Sequence, residues 1–112
     1  PVYEQIVTQV EKLILSDVLK NNDQLPSVRS LSAQLTVNPN TIQKAYTELD
    51  NRGLIVSVPG KGCFVKDDAK KTLMIQKEEE LDKLAALVKE FKLAGISKEV
   101  IIECVERSFT DD

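Results

Sequence analysis

Residues 26–65, PSVRSLSAQLTVNPNTIQKAYTELDNRGLIVSVPGKGCFV, decide the fold. The first half of this stretch contains two short helical patterns separated by three or four residues. Ser27 is the expected N-cap of the first helix, which is about nine residues long. Asn38 and Pro39 start the next helix as N-cap and first residue, and Gly53 ends it. Two short helices joined this closely predict a helix-turn-helix.

The second half of the stretch predicts a β-hairpin. Apolar strands at residues 54–58 and 63–65 flank the turn Pro59-Gly60-Lys61-Gly62. The turn glycines allow backbone conformations that other residues resist, and they leave little side chain between the backbone and a bound molecule. A hairpin after a helix-turn-helix is a wing. The predicted fold class is therefore mostly α (α+β), a winged helix-turn-helix.

Further helices are predicted on both sides of the winged helix. Residues 2–19 carry apolar side chains at helical spacing before a polar run begins. After the wing, apolar residues recur every three or four positions over residues 70–94, which predicts one long amphipathic helix. Gly95 closes that helix, and Ser97 caps a last one over residues 98–109.

The C-terminal helices predict a dimer. Two helices alone cannot bury such apolar faces, so they either fold back on the winged helix or pack against a second subunit. We favour the second arrangement and divide the chain into a winged helix-turn-helix domain, 1–68, and a dimerisation hairpin, 69–112. The residues expected at the dimer interface are Leu81, Leu84, Val88, Phe91, Ile101 and Val105.

The composition excludes several classes of protein. The 112 residues include no His, which removes the usual general base and the commonest metal ligand. Cys63 and Cys104 lack a Cys-x-x-Cys spacing and are expected to be reduced thiols in a cytoplasmic protein. No apolar run approaches the roughly 20 residues of a membrane span, and nothing resembles a signal peptide. We therefore expect no enzyme activity, metal, cofactor or membrane association.

The charge is unevenly distributed along the chain. The net charge of −3 comes from residues 67–112, which hold eight basic and twelve acidic residues, whereas residues 1–66 hold seven and six. Within the first part, residues 24–66 carry five basic residues and only two acidic ones. This is a modest basic footprint of the kind that attracts nucleic acid.

The second helix of the helix-turn-helix carries the candidates for base contacts. The major groove is roughly 12 Å wide, admits one helix and presents a distinct hydrogen-bonding pattern for each base pair. Asn and Gln side chains can pair with adenine, Lys with guanine or a phosphate, and Thr with a thymine methyl or a backbone oxygen. The candidates are Asn40, Thr41, Gln43 and Lys44, together with Asn38, whose presence capping alone explains equally well.

Four other positions are candidates for DNA contacts. Arg29 lies near a helix N-terminus, where a cation is unfavourable, so its placement suggests a role outside the helix. Ser27 caps the same helix, whose exposed amides are able to receive a phosphate. Lys61 lies in the wing turn beside Gly60 and is expected to contact the minor groove or a phosphate.

The motifs LPSVRSL (25–31), TIQKAY (41–46) and GKGCFV (60–65) resemble those of the GntR-type bacterial transcription regulators. Residues 1–6 and 37–41 and the short C-terminal tail are similar to the YtrA subfamily, over nearly the whole chain. The resemblance implies a dimeric winged-helix repressor that binds an inverted-repeat operator in double-stranded DNA. The operator often lies upstream of the repressor's own operon, which in the subfamily commonly includes an ATP-binding-cassette (ABC) transporter.

The resemblance also bears on individual residues. It implies that Arg29 contacts DNA, as the corresponding arginine does in the family. Many relatives from other subfamilies carry Arg where this chain has Pro39 and Gln43. The base preference must therefore differ from theirs.

Two alternatives stay open at this stage. A winged helix that binds a protein partner would use the same surface, although apolar anchors would then be expected on its second helix. A regulator that responds to a small-molecule effector of unknown identity, or to oxidation, is compatible with the main prediction. Cys63 and the apolar space between the C-terminal helices are the candidate sites for such a response.

Overall fold

A computed structural model describes residues 1–110, which form six helices and one three-stranded sheet. The helices are α1 (Val2–Leu15), α2 (Val28–Leu35), α3 (Pro39–Asn51), α4 (Ala69–Glu79), α5 (Leu81–Leu93) and α6 (Lys98–Thr110). The strands are β1 (Gln24–Leu25), β2 (Ile55–Val58) and β3 (Gly62–Val65). The mostly helical, winged helix-turn-helix fold with a C-terminal helical hairpin is confirmed. Within the described residues, no helix has the length and apolarity that crossing a bilayer requires.

Both predicted caps of the helix-turn-helix are present. The Ser27 hydroxyl accepts a hydrogen bond of 3.0 Å from the amide of Ser30 at the start of α2. Asn38 Oδ1 accepts one of 2.8 Å from the amide of Asn40, and Pro39 is the first residue of α3. Each cap satisfies an amide that has no partner inside its helix, and this explains why both helices begin where they do.

The turn between α2 and α3 contains a left-handed residue. Thr36 has a φ of +55°, which is unusual for a β-branched side chain. Ser32 holds the turn from both directions, because its hydroxyl donates to the carbonyl of Val37 and its carbonyl accepts from the Val37 amide at 3.1 Å. These bonds fix the direction in which α3 leaves α2.

The wing is part of a sheet with the strand order β1-β3-β2, all antiparallel. The hairpin of β2 and β3 was predicted, but β1 was not. In β1, Gln24 pairs with Phe64 and Leu25 with Cys63. A strand of two residues carries no apolar period to detect, and its partner lies far away in the sequence.

One hydrophobic core joins α1, α3, the sheet and the start of α4. Tyr46 lies in this core at 6% exposure, as the sequence predicted. From α4, Ala69 and Leu73 are almost fully buried in it. The other buried apolar residues are Ile6, Val7, Val10, Ile14, Leu25, Ile42, Ala45, Leu49, Leu54, Ile55 and Val65.

The first helix is shorter than predicted. The apolar pattern of residues 2–19 suggested a helix to about Leu19, but α1 ends at Leu15. Asp17 takes a left-handed conformation with a φ of +63°, and the amide of Leu19 folds back to the carbonyl of Leu13 at 2.9 Å. Leu19 thus reaches the core through a chain reversal and not through a further helical turn.

The long helix predicted over residues 70–94 is interrupted at Glu80. The Glu80 amide bonds to the carbonyl of Lys77, and the Lys83 amide bonds to the carbonyl of Glu80, both at 3.0 Å. This three-residue spacing tightens the backbone and separates α4 from α5. The apolar period continues across the break, which is why the sequence did not reveal it.

The chain divides into two compact units. The first, Pro1–Gln76, contains the winged helix and most of α4, and the second begins at Lys77. In the second unit, α5 and α6 are joined through a turn at Gly95, which has a φ of +84°. No residue of α5 or α6 is fully buried.

The packing of α1 against α3 includes one buried charge, which yields a stability prediction. Glu11 is 5% exposed, and its carboxylate accepts a hydrogen bond of 2.9 Å from Arg52 at the end of α3. Arg52→Met leaves this carboxylate without its partner. Because the Arg52 side chain is 40% exposed and water can replace part of the interaction, we expect a loss of about 2 kcal/mol in the free energy of unfolding.

Urea denaturation measures this loss. Arg29→Met is the matched control, because Arg29 is exposed and forms no ion pair among residues 1–110. Equal stability of the Arg52 and Arg29 variants would show that the buried carboxylate does not depend on Arg52.

Candidate nucleic-acid interface

A cleft of about 530 Å³ separates α3 from the wing. Four of the predicted DNA-contacting residues line it: Ser27 at the start of α2, Gln43 on α3, and Gly60 and Lys61 in the wing turn. The cleft therefore brings together residues from all three parts of the winged helix. This surface is the candidate nucleic-acid interface.

Tyr46 holds two sides of the cleft together. Its hydroxyl donates a hydrogen bond of 2.7 Å to the carbonyl of Pro26, just before the α2 N-cap. Burial raises the pKa of Tyr46 to about 12, so the hydroxyl keeps its proton and remains a donor at neutral pH. Tyr46 thereby fixes the start of α2 beside α3 from the core side.

The predicted contact residues at the start of α3 are accessible. Asn38 and Asn40 are exposed, and Thr41 is half-buried. They lie at the N-terminal end of α3, before the α3 residues that line the cleft. The N-terminal end of α3 is the part that a helix-turn-helix presents to base edges.

Thr47 also lies in the cleft, although it was not among the predicted site residues. Its hydroxyl accepts a hydrogen bond of 3.3 Å from Nε2 of Gln43, one helical turn earlier. The spacing of four residues was visible in the sequence as a shared helix face. Asp50 and Asn51 continue this wall of the cleft, and Asp50 places a negative charge there opposite the basic wing turn.

Arg29 is exposed in the first turn of α2, outside the cleft lining. The first turn of α2 contains no acidic residue, the type of residue that interacts favourably with the dipole at a helix N-terminus. Among residues 1–110 the Arg29 guanidinium also forms no ion pair. Its charge is thus available to an external anion.

The wing turn is held by a side chain from β1. Nε2 of Gln24 donates a hydrogen bond of 3.2 Å to the carbonyl of Lys61. Gly62 makes this contact possible, because a Cβ atom at this position would lie 2.6 Å from that nitrogen. Gly62 also has a φ of +125° and Gly60 one of +76°, conformations that few other residues adopt. The backbone around Lys61 is therefore restrained from both sides.

Lys44 lies away from the cleft. Its Nζ is 4.2 Å from the centroid of the Tyr3 ring on α1, and Lys44 is not among the residues that line the cleft. The structure thus separates two neighbours on α3. Gln43 faces the wing, and Lys44 is directed towards α1.

Cys63 lies in the wing with a half-buried thiol. Burial, and to a lesser degree the charge of Asp50, raises the pKa of this thiol. It is therefore protonated at neutral pH, and a protonated thiol is a poor nucleophile. Cys63 and Cys104 are both free, and within the described chain no group of three His, Cys, Asp or Glu residues is arranged to hold a metal ion.

The predicted dimerisation residues fall into two groups. Val88, Phe91 and Ile101 are half-buried within the α5–α6 hairpin. Leu81 is 57% exposed, and Leu84 and Val105 are similarly exposed. The second group leaves an apolar face without a partner in the described residues.

A winged helix with a polar outer face on α3, beside a wing turn that carries Lys61, defines a DNA-binding protein of the helix-turn-helix class. Comparison with known proteins agrees. Residues 2–65 match the family described as "Bacterial regulatory proteins, gntR family". The chain belongs to this family and is a DNA-binding transcription regulator of the GntR type.

Three known proteins illustrate the relationship. The HTH-type transcriptional repressor YtrA of Bacillus subtilis (strain 168) is 37% identical over 112 residues, which cover 99% of this chain and 86% of YtrA. A crystal structure of a transcriptional regulator from Oenococcus oeni has a TM-score of 0.78 at 36% identity, covering 97% of this chain and 91% of that one. AraR(DBD), crystallised in complex with operator ORR3, has a TM-score of 0.55 at 32% identity over 58% of this chain and 78% of its own. The predicted resemblance to the YtrA subfamily is confirmed by the first match.

Proposed function

We propose that the chain is a dimeric repressor that binds an inverted-repeat operator upstream of its own operon, one that contains an ABC transporter. The observation that carries the DNA-binding part is the cleft shared by α2, α3 and the wing. YtrA, which matches nearly the full length, is named as a repressor, and the AraR complex supports operator binding by this type of winged helix. The cytoplasm is the compartment where such a regulator meets its DNA.

In this proposal, α3 enters the major groove with its N-terminal end. Asn40, Thr41 and Gln43 then meet base edges, and Asn38 combines its capping role with a contact to the backbone. The bond between Gln43 and Thr47 orients the Gln43 amide before DNA binds. Because α3 keeps all of its large apolar residues buried, it offers no anchor for a protein partner, which argues against the interaction-module alternative.

The flanking contacts position the protein on the duplex. Ser27 presents the N-terminus of α2 to a phosphate, and Arg29 reaches DNA from the same turn. Lys61, with Gly60 beside it, contacts the minor groove or a phosphate from the wing. The bond from Gln24 to the Lys61 carbonyl supports this role by restraining the turn.

Dimerisation is assigned to residues 69–112, and DNA binding to residues 1–68. Within the dimerisation segment, Ala69 and Leu73 pack in the core of the first unit. The contacts between subunits are therefore expected from α5 and α6. A dimer gives two recognition helices related by a two-fold axis, and this symmetry requires an inverted repeat in the operator.

The proposal also includes a small-molecule effector of unidentified chemistry. The hairpin carries a cleft of about 490 Å³, which is lined by four aliphatic residues, Val88, Ile96, Ile101 and Ile102, and by Lys92 and Lys98. A small molecule that binds there would act on the geometry of the dimer. The Cys63 thiol is half-buried and burial raises its pKa, so it is a weaker nucleophile than an exposed thiol, which favours a small molecule over oxidation as the signal.

Selection from a random pool of DNA duplexes tests the proposal. The purified protein is incubated with the pool at near-physiological salt, so that specificity and not charge alone determines the bound fraction. We expect an enriched inverted repeat whose half-sites lie about one helical turn apart or a multiple of it. Enrichment of a single half-site would contradict the dimer, and no enrichment would contradict sequence-specific binding by the free protein.

A further inference from the structure

The contact between Lys44 and Tyr3 joins α3 to the first turn of α1. The Lys44 ammonium lies 4.2 Å from the ring centroid, within the distance at which the negative face of an aromatic ring attracts a cation. Tyr3 is itself half-buried and packs against the hydrophobic core. The ring is therefore a fixed platform, and the lysine is the mobile partner.

This platform determines the side of α3 on which the charge lies. A lysine on a helix surface otherwise samples many conformations, because its four-carbon side chain is flexible. Gln43 and Thr47 line the cleft with the wing, and the Tyr3 ring draws Lys44 towards α1. The Lys44 charge is thereby separated from the side chains that face the wing.

Two acidic groups near this contact have hydrogen-bond partners other than Lys44. Glu48 accepts a hydrogen bond of 3.0 Å from Nε of Arg52, and Glu4 accepts one of 3.3 Å from the Tyr3 hydroxyl. None of the ion pairs among residues 1–110 includes Lys44. The ring attracts the ammonium without neutralising it, so its full charge remains available to an anion.

We propose that Tyr3 is a positioning residue that holds Lys44 for a DNA phosphate beside the recognition helix, so that Lys44 adds affinity but reads no base. The inference deepens the proposed DNA interface and rests on it. A lysine is a compact point charge suited to a phosphate, and phosphate contacts carry no sequence information of their own. The sequence left both guanine and phosphate open as partners for Lys44, and the Tyr3 platform favours the phosphate.

The test compares variants of the full chain on the selected operator and on an unrelated duplex. Lys44→Gln is expected to weaken binding by a similar factor on both, about three- to tenfold, and to lower the slope of log Kd against log salt concentration by about two, because each protomer of the proposed dimer loses one phosphate contact. The matched control is Lys83→Gln on α5, which should leave both quantities unchanged. The bases enriched by Lys44→Gln should be those enriched by the wild type.

Variants of Tyr3 separate positioning from a structural role. Tyr3→Leu keeps an apolar side chain against the core but removes the ring, so we expect an affinity loss of about two- to fivefold. Tyr3→Phe keeps the ring and should bind like the wild type. In a Lys44→Gln background, Tyr3→Leu should have no further effect, because the residue it positions is absent.

Other outcomes would overturn the proposal. A changed base preference in Lys44→Gln would make Lys44 a base reader. An equal effect of Tyr3→Leu with and without Lys44 would remove the link between the two residues. Phosphate binding does not depend on sequence, so the unrelated duplex tests Lys44 even if no operator is selected. Failure to select an operator would count only against the proposed function.

Discussion

Leu84→Glu is expected to turn the protein into a monomer and to lower its affinity for an inverted-repeat operator about a hundredfold. Leu84 lies in the middle of the exposed apolar face of α5 and is 46% exposed in the single chain. In a dimer this side chain would be buried, and a carboxylate there would lose its water without gaining a partner. The operator affinity falls because the second half-site no longer binds as part of the same complex.

Sedimentation velocity and operator binding measure the two parts of this prediction. Leu93→Glu is the matched control on the same helix, because Leu93 is 90% exposed and lies on the opposite side of α5 by the helical period. The control variant should remain dimeric and bind normally. A dimeric Leu84→Glu protein would contradict the assignment of Leu84 to the interface.

A truncation tests the whole hairpin. The chain is best ended after Gln76, where the first compact unit ends, because an end before Lys70 would remove Leu73 from the core. It would also remove Gln76, whose side chain donates a hydrogen bond of 2.9 Å to the carbonyl of Arg52. We expect the shortened protein to fold as a monomer. If it sediments as a dimer, the interface lies in the winged helix.

Features that depend on local chemistry were predictable from the sequence. Ser27 and Asn38 cap their helices with their own side chains, so the residue type alone indicates the helix start. The wing turn is equally local, because Gly60 and Gly62 supply the backbone conformations that the hairpin needs. Most of the fold follows from such short-range signals.

Features that depend on packing were not predictable in the same way. The end of α1 at Leu15 depends on a chain reversal that brings Leu19 to the core, and the apolar pattern alone cannot distinguish this from another helical turn. The break at Glu80 likewise leaves the apolar period intact. The strand β1 exists only because β3 lies beside it.

In the candidate site, too, some features were predictable from the sequence and others depended on packing. The polar outer face of α3 could be predicted because the apolar residues of α3 mark the opposite face. The directions of neighbouring side chains could not, since Lys44 is turned by a ring on α1 and Gln43 by the hydroxyl of Thr47. The sequence therefore predicts which residues are polar and exposed on α3, and the packing of α1 on α3 separates the directions of Lys44 and Gln43.

Arg29→Ala is expected to weaken operator binding about ten- to a hundredfold while leaving the fold intact. Arg29 is exposed and makes no ion pair among residues 1–110, so its removal costs the folded protein no ion pair. A cation in the first turn of α2 also opposes the helix dipole, and Ala is a better helix former. The melting temperature should therefore stay the same or rise slightly, and only a direct role in DNA binding explains a loss of affinity.

Arg29→Lys then distinguishes the two kinds of contact that an arginine makes. A lysine restores the charge for a phosphate but lacks the planar fork that pairs with the two acceptors of guanine. If Arg29 reads a base, Arg29→Lys should bind nearly as poorly as Arg29→Ala; if it holds a phosphate, most of the affinity should return. Arg107→Ala, an exposed arginine on α6, is the control that should bind like the wild type. Normal operator binding by Arg29→Ala would remove this residue from the interface and leave the cleft between α3 and the wing to account for affinity.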